Sequence, residues 1–146
     1  MTVQLCTFVV EKLHFGIDVL DVQEVLAFNP MTRVPHAPSV VRGLLNLRGQ
    51  IVTAIDLRAR LGLPGSVEAH RMMNVVVRVG EGAVSLLVDE IGDVIEFDEA
   101  ELLPPPETLT GTARDLVIGV CTHEDRLLLA LDIGRTLDLG SSGRGG

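Results

Sequence analysis

The sequence predicts an all-β fold: a pair of pseudo-symmetric five-stranded β-barrels carrying short helices. Three observations lead there. The chain of 146 residues is 47% apolar but only 3% aromatic, with four Phe and neither Trp nor Tyr. Its core therefore has to be built from Val, Leu and Ile, a composition that favours strands. Short apolar runs separated by tight polar or glycine-bearing breaks recur along it, the pattern of hairpins. The chain also repeats itself. "GLLNLRGQIVTAIDLRARLGL" slid by 76 positions falls without gaps on "GVCTHEDRLLLALDIGRTLDL", so that Gly43 meets Gly119, Ala54 meets Ala130, Asp56 meets Asp132, Leu61 meets Leu137 and Leu63 meets Leu139. A slide of "DVQEV" by 72 brings Asp21 onto Asp93, Val22 onto Val94 and Glu24 onto Glu96. Two copies of one small β unit would each leave sheet edges open. Closing each into a barrel removes those edges, and two barrels side by side leave a groove between them.

The elements follow in order. "VQLCTFVVEKLHFGIDV" predicts two strands about a turn near Glu11–Lys12. "LDVQEVLAF" fits a short helix or a strand, and periodicity does not separate the two. "NPMTRVPHAPSV" holds three prolines and reads as a surface connection. Between Arg42 and Leu63 come a strand, a tight turn at Arg48–Gly49, a second strand and a short helix ended by Gly62 and Pro64. Gly49 suits the turn because glycine tolerates positive φ. Asp56 and Asp132 stand just before helical residues, where an N-cap contributes about 1 kcal/mol. "GSVEAHR" reads as a linker, "MNVVVRV", "GEG" and "AVSLLVDEI" as another hairpin, and "GDVIEF" as a continuing strand. "DEAELLPPPETLTGTARD" is a long Pro-rich connection, "LVIGVCTHEDRLLLALDI" a last hairpin turning at Glu124–Asp125, and "GRTLDL" a short helix. One domain is expected over residues 1–139, with 140–146, "GSSGRGG", as a flexible tail.

The bulk numbers exclude some functions. The net charge is -8 and the chain holds a single Lys, Lys12. Nucleic-acid binding needs clustered Lys and Arg, and no such cluster exists. Protein–protein contacts fit the acidic balance better. The N-terminus lacks the basic start of a signal peptide, and no apolar run approaches a membrane span, so a cytoplasmic protein without membrane insertion is expected. Cys6 and Cys121 lie far apart inside apolar stretches and read as buried, unpaired thiols.

The candidate pair for catalysis is Cys121 and His123, two apart on a strand and so on one face; the other candidate bases are His14, His36 and His70. Nothing marks a third positioned group or an oxyanion hole. No phosphate loop, dinucleotide fingerprint or zinc-protease pattern appears, and Gly80 and Gly82 fit a hairpin turn. Asp18, Asp56, Asp89 and Asp132 each follow an apolar strand without metal-ligand spacing. No cofactor and no metal is expected. Arg48 stands out as a cation at a turn between two apolar strands. It is either a solvated turn residue or a recognition residue, since arginine is enriched at interface hot spots and its planar fork grips carboxylates.

"VRGLLNLRGQIVTAIDLRARLGL" resembles the signature of the CheW-type chemotaxis coupling proteins, and "FGIDVLDVQEV", "LLVDEIGDVIEF" and "LLPPPE" resemble that family's other segments. The resemblance runs from about Val3 to Leu139. It implies two intertwined five-stranded SH3-like barrels and a non-enzymatic adaptor. Its implied partners are the regulatory domain of the histidine kinase CheA and the cytoplasmic tip of methyl-accepting chemotaxis receptors. Carried over residue by residue, the implied receptor site comprises Val22, Glu24, Val25, Arg48, Val88 and Val94, with Gly43, Gly49, Asp56, Gly119 and Asp132 as turn and structural positions. The kinase surfaces are implied at the barrel ends. A related chemosensory-like pathway, such as pilus motility, is the alternative within the same class. The sequence departs from the family at Thr53, where proline is common; a proline there would protect a strand edge.

Overall fold

The computed structural model describes residues 1–65 and 67–138. Leu139 and the expected tail 140–146 lie outside the described residues. The described residues form ten strands: β1 (Thr2–Val10), β2 (Leu13–Asp18), β3 (Val22–Leu26), β4 (Val41–Leu47), β5 (Gln50–Asp56), β6 (Met73–Val79), β7 (Gly82–Val88), β8 (Glu90–Asp98), β9 (Val117–His123) and β10 (Arg126–Leu131). Three short helices accompany them: α1 (Leu57–Arg60), α2 (Gly111–Leu116) and α3 (Ile133–Leu137). "VQEVL" is thus a strand, preceded by a single 3-10 turn over Val19–Asp21. The Pro-rich connection is not wholly irregular, since α2 forms inside it.

Three hairpins turn through two residues that both have positive φ: Glu11 and Lys12, Arg48 and Gly49, Glu124 and Asp125. Such turns match the right-handed twist of the strands they join. α1 starts on Asp56, whose carboxylate accepts from Ala59 N, and α3 starts on Asp132, which accepts from Arg135 N. Both expected N-caps are therefore in place. Gly62, at φ +74, ends α1. Leu63 N donates to Arg58 O and Gly62 N to Ala59 O, the paired bonds of a glycine-terminated helix.

The strands make two five-stranded sheets, ordered β8-β1-β2-β10-β9 and β3-β6-β7-β5-β4. A copy that closed on itself would keep its hairpin. Here each sheet takes its hairpin from one copy and its other three strands from the other, which makes the two halves intertwined. Each sheet also closes on itself. Thr32, downstream of β3, exchanges backbone hydrogen bonds with Leu44 on β4, and Leu103, downstream of β8, does the same with Val120 on β9. The bridges bring the two outer strands of each sheet together, as barrel closure requires. They also explain two glycines. A Cβ on Gly43 would stand 2.7 Å from Thr32 O, and one on Gly119 would stand 2.8 Å from Leu103 O.

Strand register corrects one alignment. On β3, Val22 pairs with Val77, Val25 with Val75 and Leu26 with Asn74. On β8, Ile91 pairs with Phe8, Val94 with Cys6 and Ile95 with Leu5. The hairpins correspond as Phe8 opposite Phe15 and Val77 opposite Val84. Val22 therefore occupies the position of Ile91, Glu24 that of Asp93 and Val25 that of Val94, a spacing of 69 and not 72. Register follows which side chains face the core and where the bulge falls, not letter identity. The spacing of 76 holds from β4 onward, because the second copy's connection is longer and contains α2. Thr53 is a second correction. β5 is interior, and Thr53 pairs with both Leu44 and Val84, so no strand edge there needs protecting.

The largest core cluster is shared by both sheets: Phe8, Phe15 and Ile17 from one meet Val75, Leu86 and Val88 from the other. Phe8 and Phe15 stack at 6.2 Å between centroids. Each sheet adds a smaller inner cluster of its own. Arg58, 5% exposed, ties the exchange together. It donates to Glu11 in the β1–β2 turn, to Asp89 between β7 and β8 at 2.6 Å, and to Pro64 O at 2.9 Å.

Candidate functional site

Barrel closure sets the β4–β5 turn beside β3. Arg48, at the tip, reaches Glu24 on β3 with both ends of its fork: Nη1 donates to Oε2 at 2.5 Å and Nη2 to Oε1 at 2.8 Å. The Glu24 side chain is 19% exposed and the Arg48 side chain 77%. The pair thus has a seated carboxylate and a guanidinium whose outer face is in water. The hydrogen bonds from Arg48 hold the Glu24 carboxyl below the usual carboxylate range, and partial burial opposes them. The same bonds raise the already high pKa of Arg48.

The turn itself is held by Asn46, whose Oδ1 accepts from Gly49 N at 3.0 Å. The start of β3 is held by Arg78, which donates to Leu20 O at 3.1 Å and Val22 O at 3.2 Å. Sequence reasoning missed both. Asn46 carried a usable signal, an Asx side chain three residues before a turn glycine. Arg78 carried none, because its partners are backbone carbonyls brought near by folding.

The other expected site residues divide. Val25, 38% exposed, lies on the same strand as Glu24, and Ile51, 60% exposed, follows the Arg48 turn on β5. Val22 is half-buried and packs on the shared core. Val94 is 54% exposed but belongs to β8 in the other sheet. Val88 is the correction: it is 0% exposed in the shared core and presents no surface to a partner. It ends the middle strand of its sheet, which is buried on both faces: Leu86 and Val88 belong to the shared core and Ala83 and Leu87 to the inner cluster.

The second copy does not reproduce the pair. At the position of Arg48 it has Glu124, and at that of Glu24 it has Asp93. Two carboxylates do not bind one another, so the seated Glu24 and its exposed guanidinium mark one half of a pseudo-symmetric molecule.

Cys6 and Cys121 are both buried and free. Burial pushes both thiols up, with the Glu101 charge adding to the effect at Cys121. A thiol held in its neutral form is a poor nucleophile. His123 stands half in solvent, 3.9 Å from Glu124, while Cys121 belongs to the inner cluster. Among the described residues, no group of His, Cys, Asp and Glu is arranged to hold a metal ion, and no helix is long and apolar enough to cross a membrane. The site is a charged fork on a turn, with exposed aliphatic side chains on β3 and β5.

The family model for the CheW-like domain matches residues 4–140. A chemotaxis protein CheW of Rhizobium meliloti is 30% identical over 130 residues, covering 89% of this chain and 84% of the relative. One of Klebsiella aerogenes is 31% identical over 130 residues, covering 89% and 78%. The crystal structure of a scaffolding protein, TtCheW from Thermoanaerobacter tengcongensis, superposes with a TM-score of 0.85 at 26% identity, covering 96% of this chain and 95% of the other.

Proposed function

Because the chain belongs to the CheW-like domain family, we propose that it is a non-enzymatic adaptor coupling methyl-accepting chemotaxis receptors to the regulatory domain of the histidine kinase CheA. The bidentate pair between Glu24 and Arg48 carries the reading. It unites two residues from separate stretches of sequence and leaves a desolvatable guanidinium facing outward. Arginine in that setting is a typical hot-spot anchor. Val25 and Ile51 supply apolar area, so the receptor surface this site fits is one presenting a carboxylate to Arg48 and aliphatic side chains beside it. The adaptor works in the cytoplasm at receptor arrays, with no cofactor and no chemistry of its own.

The test separates recognition from scaffolding. Arg48→Glu is expected to weaken binding of a receptor-tip fragment at least about tenfold. The reciprocal exchange, Glu24→Arg with Arg48→Glu, restores an ion pair but not the outward guanidinium at its original place, and binding is expected to stay lost. Recovery of full binding in the exchanged protein would mean that the pair only holds the turn. Binding of the kinase regulatory domain is expected to survive both variants.

A further inference from the structure

Strict alternation along β3 would place Val22 and Glu24 on one face of the sheet. They lie on opposite faces. Val22 pairs with Val77 and Val25 with Val75, and both partners belong to the core shared by the two sheets. Glu24 pairs with Val76, which belongs to the inner cluster. The register shifts between Val22 and Glu24, so Gln23 is the extra residue of a bulge. That bulge turns the Glu24 carboxylate to the inner side of its sheet, where both ends of the Arg48 fork meet it. Without it, Glu24 would share the face of Val22, and Val25 would move to the other side.

The second copy has the same bulge. Ile91 pairs with Phe8 and Val94 with Cys6, so Gly92 and Asp93 together oppose Thr7. There the neighbouring strand staples the bulge: Thr7 Oγ1 donates to Asp93 O. A Cβ on Gly92 would stand 2.5 Å from that hydroxyl oxygen, so the glycine makes room for the staple. The first copy lacks both parts. Val76 stands for Thr7 and carries no donor, and Gln23 stands for Gly92. Its staple is Arg78, an exposed side chain on β6 for which the second copy has Val9 at the spacing of 69. Arg78 Nη1 donates to Leu20 O at 3.1 Å and to Val22 O at 3.2 Å, the latter directly ahead of the extra residue. Asp18 Oδ1 accepts from Leu20 N at 2.9 Å. Side chains thus fix the chain on both sides of Leu20 as it enters the bulge.

We propose that Arg78 is a positioning residue for recognition: by holding the carbonyls of Leu20 and Val22 it fixes the bulge at Gln23, and through the bulge the face on which Glu24 meets Arg48. It acts through the pair and not by contact with the partner. Its consequence for receptor binding rests on the coupling role proposed above, while its effect on the Glu24–Arg48 pair does not.

The intact chain is compared with Arg78→Gln and Arg78→Lys. A single nitrogen makes both bonds of Arg78, so a lysine ammonium can replace it, as it cannot replace a bidentate fork. The Glu24 carboxyl is titrated by NMR in each chain. In Arg78→Gln its pKa is expected to rise toward the ordinary carboxylate value, and in Arg78→Lys to stay where it is in the unsubstituted chain. Both variants are expected to keep a cooperative melt, since the side chain is exposed. Binding of a receptor-tip fragment is expected to fall about fivefold in Arg78→Gln, to be kept in Arg78→Lys, and to fall no further when Arg78→Gln is added to Arg48→Gln. A Glu24 titration unmoved by Arg78→Gln, a lysine variant that behaves like the glutamine variant, or losses that add in the double variant would each overturn the proposal. If the unsubstituted chain binds no receptor tip, the coupling reading fails, and the Glu24 titration decides the role of Arg78 by itself.

Discussion

Asp56→Ala and Asp132→Ala are the same substitution at pseudo-symmetric positions, and they are expected to differ in cost. Each removes an N-cap: Asp56 Oδ1 accepts from Ala59 N at 3.3 Å, and Asp132 Oδ1 from Arg135 N at 3.0 Å. Loss of a cap costs about 1 kcal/mol. Asp132 is a half-buried residue whose ion pair with Arg135 is long and exposed, so little more is lost there. Asp56 is 5% exposed and also accepts from Arg42, whose side chain is only 28% exposed. Removing the carboxylate strands that guanidinium in a largely covered place. Hydrogen bonds to charged groups contribute about 1.5–3 kcal/mol, so the total at Asp56 comes to about 2.5–4 kcal/mol. For a chain of this size, a gap of about 2 kcal/mol between the variants separates their melting temperatures by roughly 4–8 °C. Urea titrations of both variants, with equal m-values, give the comparison directly. Equal losses would refute the asymmetry between the two barrel ends.

Other outcomes follow from the same geometry. Gly43→Ala and Gly119→Ala drive a Cβ into a bridge carbonyl, and each is expected to lower stability by about 2 kcal/mol or more in the same titration; losses below about 0.5 kcal/mol would mean that the bridges do not close the barrels. Both cysteines are expected to resist a thiol reagent until denaturant is added, and rapid labelling of the native chain would contradict their burial. Since Arg48 holds the Glu24 carboxyl below its unfolded value, that pair's contribution is complete above the unfolded pKa and is lost as pH falls through the folded one. Melts between neutral and acid pH are expected to show this acid-side loss diminished in Arg48→Gln, and parallel curves would show that the pair adds nothing to stability.

Much of the fold was legible because hairpins and caps are local. Two-residue breaks marked three of the turns, and Asp56 and Asp132 preceded their helices as N-caps should. The match at 76 was legible because the two segments carry the same structure: strand, turn, strand, cap and helix. The match at 72 misled for the opposite reason. Three shared letters in "DVQEV" outweighed a register set by distant pairing partners and a bulge, which no short string displays. The exchange of hairpins was equally hidden, since a repeat has the same sequence whether each copy closes alone or with its neighbour. At the site, the resemblance singled out Glu24 and Arg48, and folding joined them. It also singled out Val88, whose strand turns it into the core. Arg42, Arg58 and Arg78 escaped notice because their partners are carbonyls and carboxylates contributed by other elements.

An adaptor of the proposed kind holds two partners at once on separate faces. Sedimentation velocity on a mixture of a receptor-tip fragment, the kinase regulatory domain and this protein distinguishes simultaneous from exclusive binding. One boundary containing all three is expected, reduced by Arg48→Glu to a complex of this protein with the kinase domain alone. Mutually exclusive binding of the two partners, or a three-component boundary unchanged by Arg48→Glu, would contradict it.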